Sequence, residues 1–111
     1  MTRFYLKKRS ILRSSKDIEI LFDQGLVFKS RSFDVFFRSS EDCKVLFAAS
    51  KKIRKHALKS RCKRLLRELY RRQQAKVHRP MHLALIAKEP ILLANPDQLD
   101  VEFEVFLASA Q

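Results

Sequence analysis

A single glycine, Gly25, serves all 111 residues. Nucleotide-binding loops need several, to turn tightly and to bring backbone N–H groups against phosphate, so neither a P-loop nor a dinucleotide fingerprint can be written into this chain. Tryptophan is absent, and cysteine occurs twice, as Cys43 and Cys62. Neither cysteine has a Cys-x-x-Cys partner or a nearby histidine pair, which argues against a disulfide framework or a zinc site and leaves packing thiols in a cytosolic chain as the expectation. No purely apolar run exceeds five residues, Val45–Ala49 being one. A membrane span needs about 20. The start, Met1 to Arg9, is broken by charge and does not read as a signal peptide. His56, His78 and His82 stand in no Cys-His or Ser-His-Asp spacing, so no catalytic residue and no metal ligand is assigned to the chain.

Acidic charge is also scarce where basic charge is dense. From Lys51 to Arg79 there are 13 Lys and Arg against one acid, Glu68, while the rest of the chain holds 11 groups of each sign, so the net +12 of the chain is local to that stretch. A block of this density repels itself unless a polyanion neutralises it. The length suits one domain, with a core but no second unit, and 46% hydrophobic residues including nine Phe are too many for a disordered chain. The first sixteen residues carry six basic groups and no acid, and read as an arm over residues 1–13, either a binding edge or a mobile tail.

After the serines at 14 and 15, Ile18, Leu21 and Phe22 fall at i, i+3 and i+4, predicting a helix from about Ser15 to Gln24 that stops at Gly25. Leu26–Phe28, Ser32–Arg38 and Lys44–Ser50 read as strands, the last two joined as a hairpin through Ser39-Ser40-Glu41-Asp42. Ala57 to about Arg72 is rich in Leu, Arg and Lys and reads as a long helix. Met81–Lys88 reads as a further strand. In the tail, Leu99, Val101, Phe103 and Val105 alternate as a strand would. Asn95-Pro96-Asp97, with Leu99, Phe103, Phe106 and Leu107, fits a capped helix better. The expected class is α+β, a sheet covered by helices, with the basic helix as a crossover between strands.

Advancing 100° per residue along that helix gathers Leu58, Cys62, Leu65, Leu66 and Leu69 on one flank and Ser60, Lys63, Arg64, Arg67 and Arg71 on the other. A merely solvated flank mixes signs to gain i, i+4 pairs, whereas Lys63, Arg67 and Arg71 are a like-charged row that costs a few tenths of a kcal/mol per pair, by the reverse of the pairing gain. Nucleic acid is the partner that fits. A DNA reader of the helix-turn-helix type would have helices, not strands, before its recognition helix. RNA proteins more often combine phosphate contacts with a sheet that offers aromatics to unstacked bases. Phe33, Val35 and Phe37 share one face of their strand, and Asp34 and Phe36 the other. A membrane-surface protein would use the same basic amphipathic helix with its apolar face uncovered.

The run from Ser50-Lys51-Lys52-Ile53-Arg54 through Lys59-Ser60-Arg61-Cys62-Lys63-Arg64 to Leu66-Arg67-Glu68 resembles the signature of the bacterial ribonuclease P protein family: Ser-Lys-Lys, a hydrophobic residue, Gly, then Arg-Asn-Arg-x-Lys-Arg and Leu/Ile-Arg-Glu. Leu6-Lys7-Lys8-Arg9, Leu12, Asp17, Phe22, Gly25, Arg31 and Phe33 extend the likeness, which covers roughly residues 6 to 88. Lys59-Ser60-Arg61 stands where that family has Arg-Asn-Arg, Arg54 where it has Gly, Ile18 where an aromatic is usual and Ser14 where a Lys is usual; Phe36 keeps the aromatic. The resemblance implies a single-domain α-β-β-β-α-β-α sandwich whose basic helix makes a left-handed crossover, against a strong general rule. It implies a bacterial cytoplasmic subunit that helps a catalytic RNA remove the 5′ leader of precursor tRNA, with hydrolysis carried out by the RNA and its bound Mg²⁺. The RNA face would be Lys51, Lys52, Lys59, Ser60, Arg61, Lys63, Arg64, Arg67 and Arg71, and the leader cleft Ser14, Ile18 and Phe36. No membrane, DNA or obligate protein partner is implied. A ribosomal or RNA-assembly protein would share the charge without needing that spacing.

Overall fold

Alternation along one strand decides which side of the sheet each helix covers. The computed structural model describes residues 11–110. Its elements run α1 (Ser15–Gln24), β1 (Leu26–Lys29), β2 (Phe33–Ser39), β3 (Lys44–Ala49), α2 (His56–Gln73), β4 (Met81–Ala87) and α3 (Pro96–Ala110), with short 3₁₀ turns at Gln74–Lys76 and Glu89–Leu93. On one face of the sheet Phe33, Val35, Val45, Phe47, Leu83 and Leu85 are buried under α2 and α3. On the other face Phe36, Leu46, Ala84 and Ile86 form a smaller cluster with Leu12, Ile18 and Leu21.

The strands lie in the order β1-β2-β4-β3. β1 and β2 form an antiparallel hairpin (Leu26↔Phe37, Lys29↔Asp34), and β4 runs antiparallel to β2 (Phe33↔Ala87) and parallel to β3 (Lys44↔His82). The expected hairpin between β2 and β3 is therefore not formed, because β4 lies between them. The polar Ser39–Asp42 break resembles a hairpin turn locally. β4 is the strand with the most to bury, since Met81, Leu83, Ala84, Leu85 and Ala87 are all inaccessible, and a strand buried on both faces belongs at the centre of the sheet. The crossover β3-α2-β4 expected of the basic helix is present between neighbouring parallel strands.

Ser14 caps α1, its Oγ accepting from Asp17 N at 3.3 Å. Gly25 closes the helix, donating to the Leu21 carbonyl at 2.9 Å with φ −74°. That backbone is open to any residue, so left-handed geometry is not what requires glycine. A Cβ there would collide with the Leu21 carbonyl oxygen and stand 3.1 Å from that of Phe37. α3 begins as expected, with Asn95 Oδ1 accepting from Gln98 N at 2.8 Å, and buries Leu99, Phe103, Phe106 and Leu107. Val101 and Val105, which suggested a strand, face solvent.

Of the basic arm, residues 1–10 lie outside the described residues. Its last part is anchored: Ile11 bridges to Val45, and Leu12 is buried and donates to the Val45 carbonyl at 2.9 Å.

Candidate nucleic-acid interface

α2 is amphipathic because its leucines repeat at helical spacing, and packing on the sheet buries Cys62, Leu66 and Leu69 as that spacing implied. Tyr70 and Gln73 continue the buried stripe, while Leu58 and Leu65 flank it half-buried. Burial pushes the Cys62 thiol up and the Tyr70 phenol strongly up, the latter helped by its contact with Cys43 Sγ at 3.4 Å, so both stay neutral packing groups.

The opposite flank is the charged one. Lys51, Lys52, Ser60, Arg61, Lys63, Arg64, Arg67 and Arg71 are exposed, and Lys59 is half-buried. Arg64 and Glu68, at pairing distance in sequence, make no ion pair, and Lys51, Lys52, Arg61, Lys63 and Arg71 likewise have no carboxylate partner among the described residues. Not all of the basic block is free. Arg72 donates to Asp100 at 3.0 Å and Lys76 to Glu104 at 2.7 Å, latching the end of α2 to α3. Tertiary structure thus separates cations that hold the fold from cations that face outward. Lys55, the residue before α2, provides no side-chain cap, and the first turn holds no acid, so the positive end of the helix dipole adds to the field of the basic loop before it.

Arg67 stands apart within the row, its guanidinium 5.7 Å from the centre of the Phe47 ring. Arg67→Ala is expected to cost about 0.5–1 kcal/mol of stability through this contact, whereas Arg64→Ala costs none. Both should weaken RNA binding by about 1–3 kcal/mol and lower the salt dependence by roughly one unit. Urea titration beside RNA titration checks the split; equal stability losses would contradict it.

On the other face of the sheet, Ile18 and Phe36 both pack against the smaller cluster, while Ser14 lies at the start of α1 with its hydroxyl engaged in the cap. The structure adds Phe22, one turn beyond Ile18. Its ring is 4.7 Å from that of Phe36 at 60° and 39% exposed, and Val27, opposite Phe36 on β1, is 45% exposed. The i, i+4 spacing of Ile18 and Phe22 was the available signal. Arg31, Arg54 and Lys55, which their spacing in the sequence did not connect, gather at one end of the sheet, brought together from two separate connections.

Folding unites Ser40, Asp42 and His82, which sequence spacing did not connect. His82 Nε2 lies 3.0 Å from Ser40 Oγ and 2.9 Å from Asp42 Oδ1. A relay needs the two ring nitrogens to serve the two partners separately, and here one nitrogen meets both, so this is not a nucleophilic triad. The hydrogen bond from His82, ahead of the nearby Lys44 charge, holds the Asp42 carboxyl below its usual range.

Comparison with known proteins gives a consistent answer. The family model described as Ribonuclease P matches residues 6–111. The chain belongs to the ribonuclease P protein family. It is 27% identical over 104 residues to the ribonuclease P protein component of a Nitratiruptor species, covering 92% of this chain and 93% of that protein. The fold is that of the Staphylococcus aureus RNase P protein (TM-score 0.75, 19% identity, 92% and 95% of the two chains) and of the RNase P protein from Thermotoga maritima (TM-score 0.77, 18% identity, 91% and 97%). Arg54, standing where the family signature has Gly, is not strained, since no described non-glycine residue has a positive φ. Among the described residues no group of three or more His, Cys, Asp or Glu side chains is placed to hold a metal ion. Asp34, Asp42, Asp100, Glu102 and Glu104 are each engaged with a cation or hydroxyl of the fold.

Proposed function

We propose that this ribonuclease P protein binds the catalytic RNA through the outward cations of α2 and the Ser50–Lys55 loop, and receives the single-stranded 5′ leader of precursor tRNA between α1 and the sheet. The observation that carries the reading is the exposed row Arg61, Lys63, Arg64 and Arg71, which has no carboxylate partner among the described residues while neighbouring Arg72 and Lys76 do. Such a row gains free energy only against a polyanion, through charge-assisted contacts and counterion release. The chemistry is assigned to the RNA, with Mg²⁺ held by RNA and substrate. Ser40, Asp42 and His82 lack the geometry for nucleophilic attack, and the protein's part is to screen phosphate repulsion and hold the leader. A membrane-surface role is disfavoured because the apolar stripe of α2 is buried against the core and not free to enter a lipid surface.

The protein alone is expected to cleave no precursor tRNA, and to restore cleavage at low Mg²⁺ when added to a catalytic RNA of the ribonuclease P type. Specific cleavage by the RNA-free protein, or no rescue, would refute the reading.

Phe36 is proposed as the stacking platform of the cleft, since a base on an aromatic ring contributes about 1–3 kcal/mol whatever its sequence. Phe36 is half-buried, so Phe36→Ala mixes lost packing with lost stacking. Phe36→Leu separates them: stability should fall by less than about 1.5 kcal/mol, while the preference of the assembled complex for tRNA with a leader over mature tRNA drops by about tenfold. Retained leader preference in the Leu variant would remove Phe36 from the site.

A further inference from the structure

At one end of the sheet three connections close around a groove of about 590 Å³, within the size range of small-ligand sites. The β1–β2 turn brings Arg31 to its rim, and the loop entering α2 brings Lys52, Arg54 and Lys55. None of these four cations has a carboxylate partner among the described residues. Between them the groove is apolar, lined by Ile53, Leu58, Pro90 and Leu93. Ile53 is 2% exposed and seals the groove against the core, whereas Leu93 is 93% exposed at its lip. Glu89 is the one acid among the lining residues.

A site for phosphate alone has no use for an apolar floor, and a site for an apolar ligand alone has no use for four cations. Both are satisfied by an unstacked nucleobase with a phosphate on either side. The base would lie on the aliphatic floor, Arg31 or Arg54 can cover it with a planar guanidinium, and the flanking phosphates reach the cationic rim. Glu89, an acceptor with no proton to donate when ionised, suits the amino edge of a base and repels phosphate, which orients the ligand. We propose that this groove captures a single extruded nucleotide of the partner RNA. The proposal rests on the RNA-binding reading above and deepens it: beside the Ser50–Lys55 loop already assigned to that RNA it adds a base-binding groove, apart from the outward row of α2 and from the cleft at α1.

Methyl NMR of the whole chain titrated with adenosine 3′,5′-bisphosphate tests the groove without the catalytic RNA. The expected result is saturable shifts of the Ile53, Leu58 and Leu93 methyls, no comparable shifts with inorganic phosphate, and weaker binding by about fivefold in Arg31→Gln and Leu93→Ser, both at exposed positions. Leu93→Ser should also weaken binding to the catalytic RNA by about tenfold with an unchanged salt slope, because the lost contact is to a base and not to a phosphate. Shifts that phosphate reproduces, or methyls that respond to anionic lipid vesicles and not to the bisphosphate, would overturn the proposal. So would wild-type affinity of Leu93→Ser for the RNA. If the wild-type protein failed to bind the catalytic RNA while the bisphosphate still shifted the groove methyls, the proposed function would fall and the nucleotide site would stand.

Discussion

Replacing Arg61, Lys63, Arg64 and Arg71 together with glutamine is expected to lower affinity for the catalytic RNA by about a thousandfold at physiological salt while leaving the fold intact. Each exposed cation contributes about 1 kcal/mol net to a charge-assisted phosphate contact once screening is allowed for, so four amount to about 4 kcal/mol. The slope of log affinity against log salt should become shallower by about three to four units, since each neutralised phosphate accounts for nearly one. None of the four pairs with a carboxylate among the described residues, and their removal relieves like-charge repulsion along α2, so the melting temperature should hold or rise slightly. Filter binding across a salt series, beside thermal melting, measures both quantities. Undiminished affinity would mean that the RNA meets another face; unfolding would mean that the row is structural.

Glu102→Ala is expected to be the most damaging single change outside the apolar core. The Glu102 carboxylate fastens α3 to the β1–β2 turn: Oε2 accepts from Ser32 Oγ at 2.6 Å, and Oε1 accepts from Ser32 N at 2.8 Å and from Ser30 Oγ. Gln98 Nε2 adds a longer contact at 3.4 Å. Removing the acceptor strands a backbone N–H and a hydroxyl of the fully buried Ser32, for a loss of about 2–4 kcal/mol. Burial alone would raise the Glu102 carboxyl, but the hydrogen bonds from Ser30 and Ser32 outweigh it and hold the group below its ordinary value. A carboxyl lowered in the folded state contributes stability that is fully present above its unfolded value, about 4.3, and is lost as pH falls through the lower folded value. The stability gap between wild type and Glu102→Gln should therefore be widest near neutrality and shrink as pH falls below about 4.3. Urea titrations at a series of pH values check this. A gap that is constant with pH would show that the ionised carboxylate is not what holds α3.

Much of this protein is written in local pattern. The leucine spacing of α2 identified its core side before any partner was known, because one helix face must be apolar to be buried and residues at i, i+3 and i+4 share that face whatever lies against it. Asn95-Pro96 tilted the last segment toward a helix for the same kind of reason, since a cap and a first-turn proline act within a few residues, but the alternation of Leu99, Val101, Phe103 and Val105 left a strand open until the structure decided it. The outward cations were legible too, since a residue opposite the apolar stripe has nowhere to go but solvent. Strand partnership was not legible. The Ser39–Asp42 break allows a hairpin, and only the demand of β4 for cover on both faces and both edges places it between β2 and β3. The same limit applies to charge. Arg71 and Arg72 are adjacent and chemically identical, yet Arg72 is tied to Asp100 on a helix 28 positions further along and Arg71 is not. The groove that unites Arg31, Lys52 and Leu93 likewise exists only once three distant connections meet. Sequence alone determined the helix faces, the excess of positive charge and the family likeness, all of which depend on neighbours within a few residues or on order along the chain. Which strands pair, which cations are spoken for and where the surface is concave depend on contacts between segments far apart in the chain, and those the tertiary structure decided.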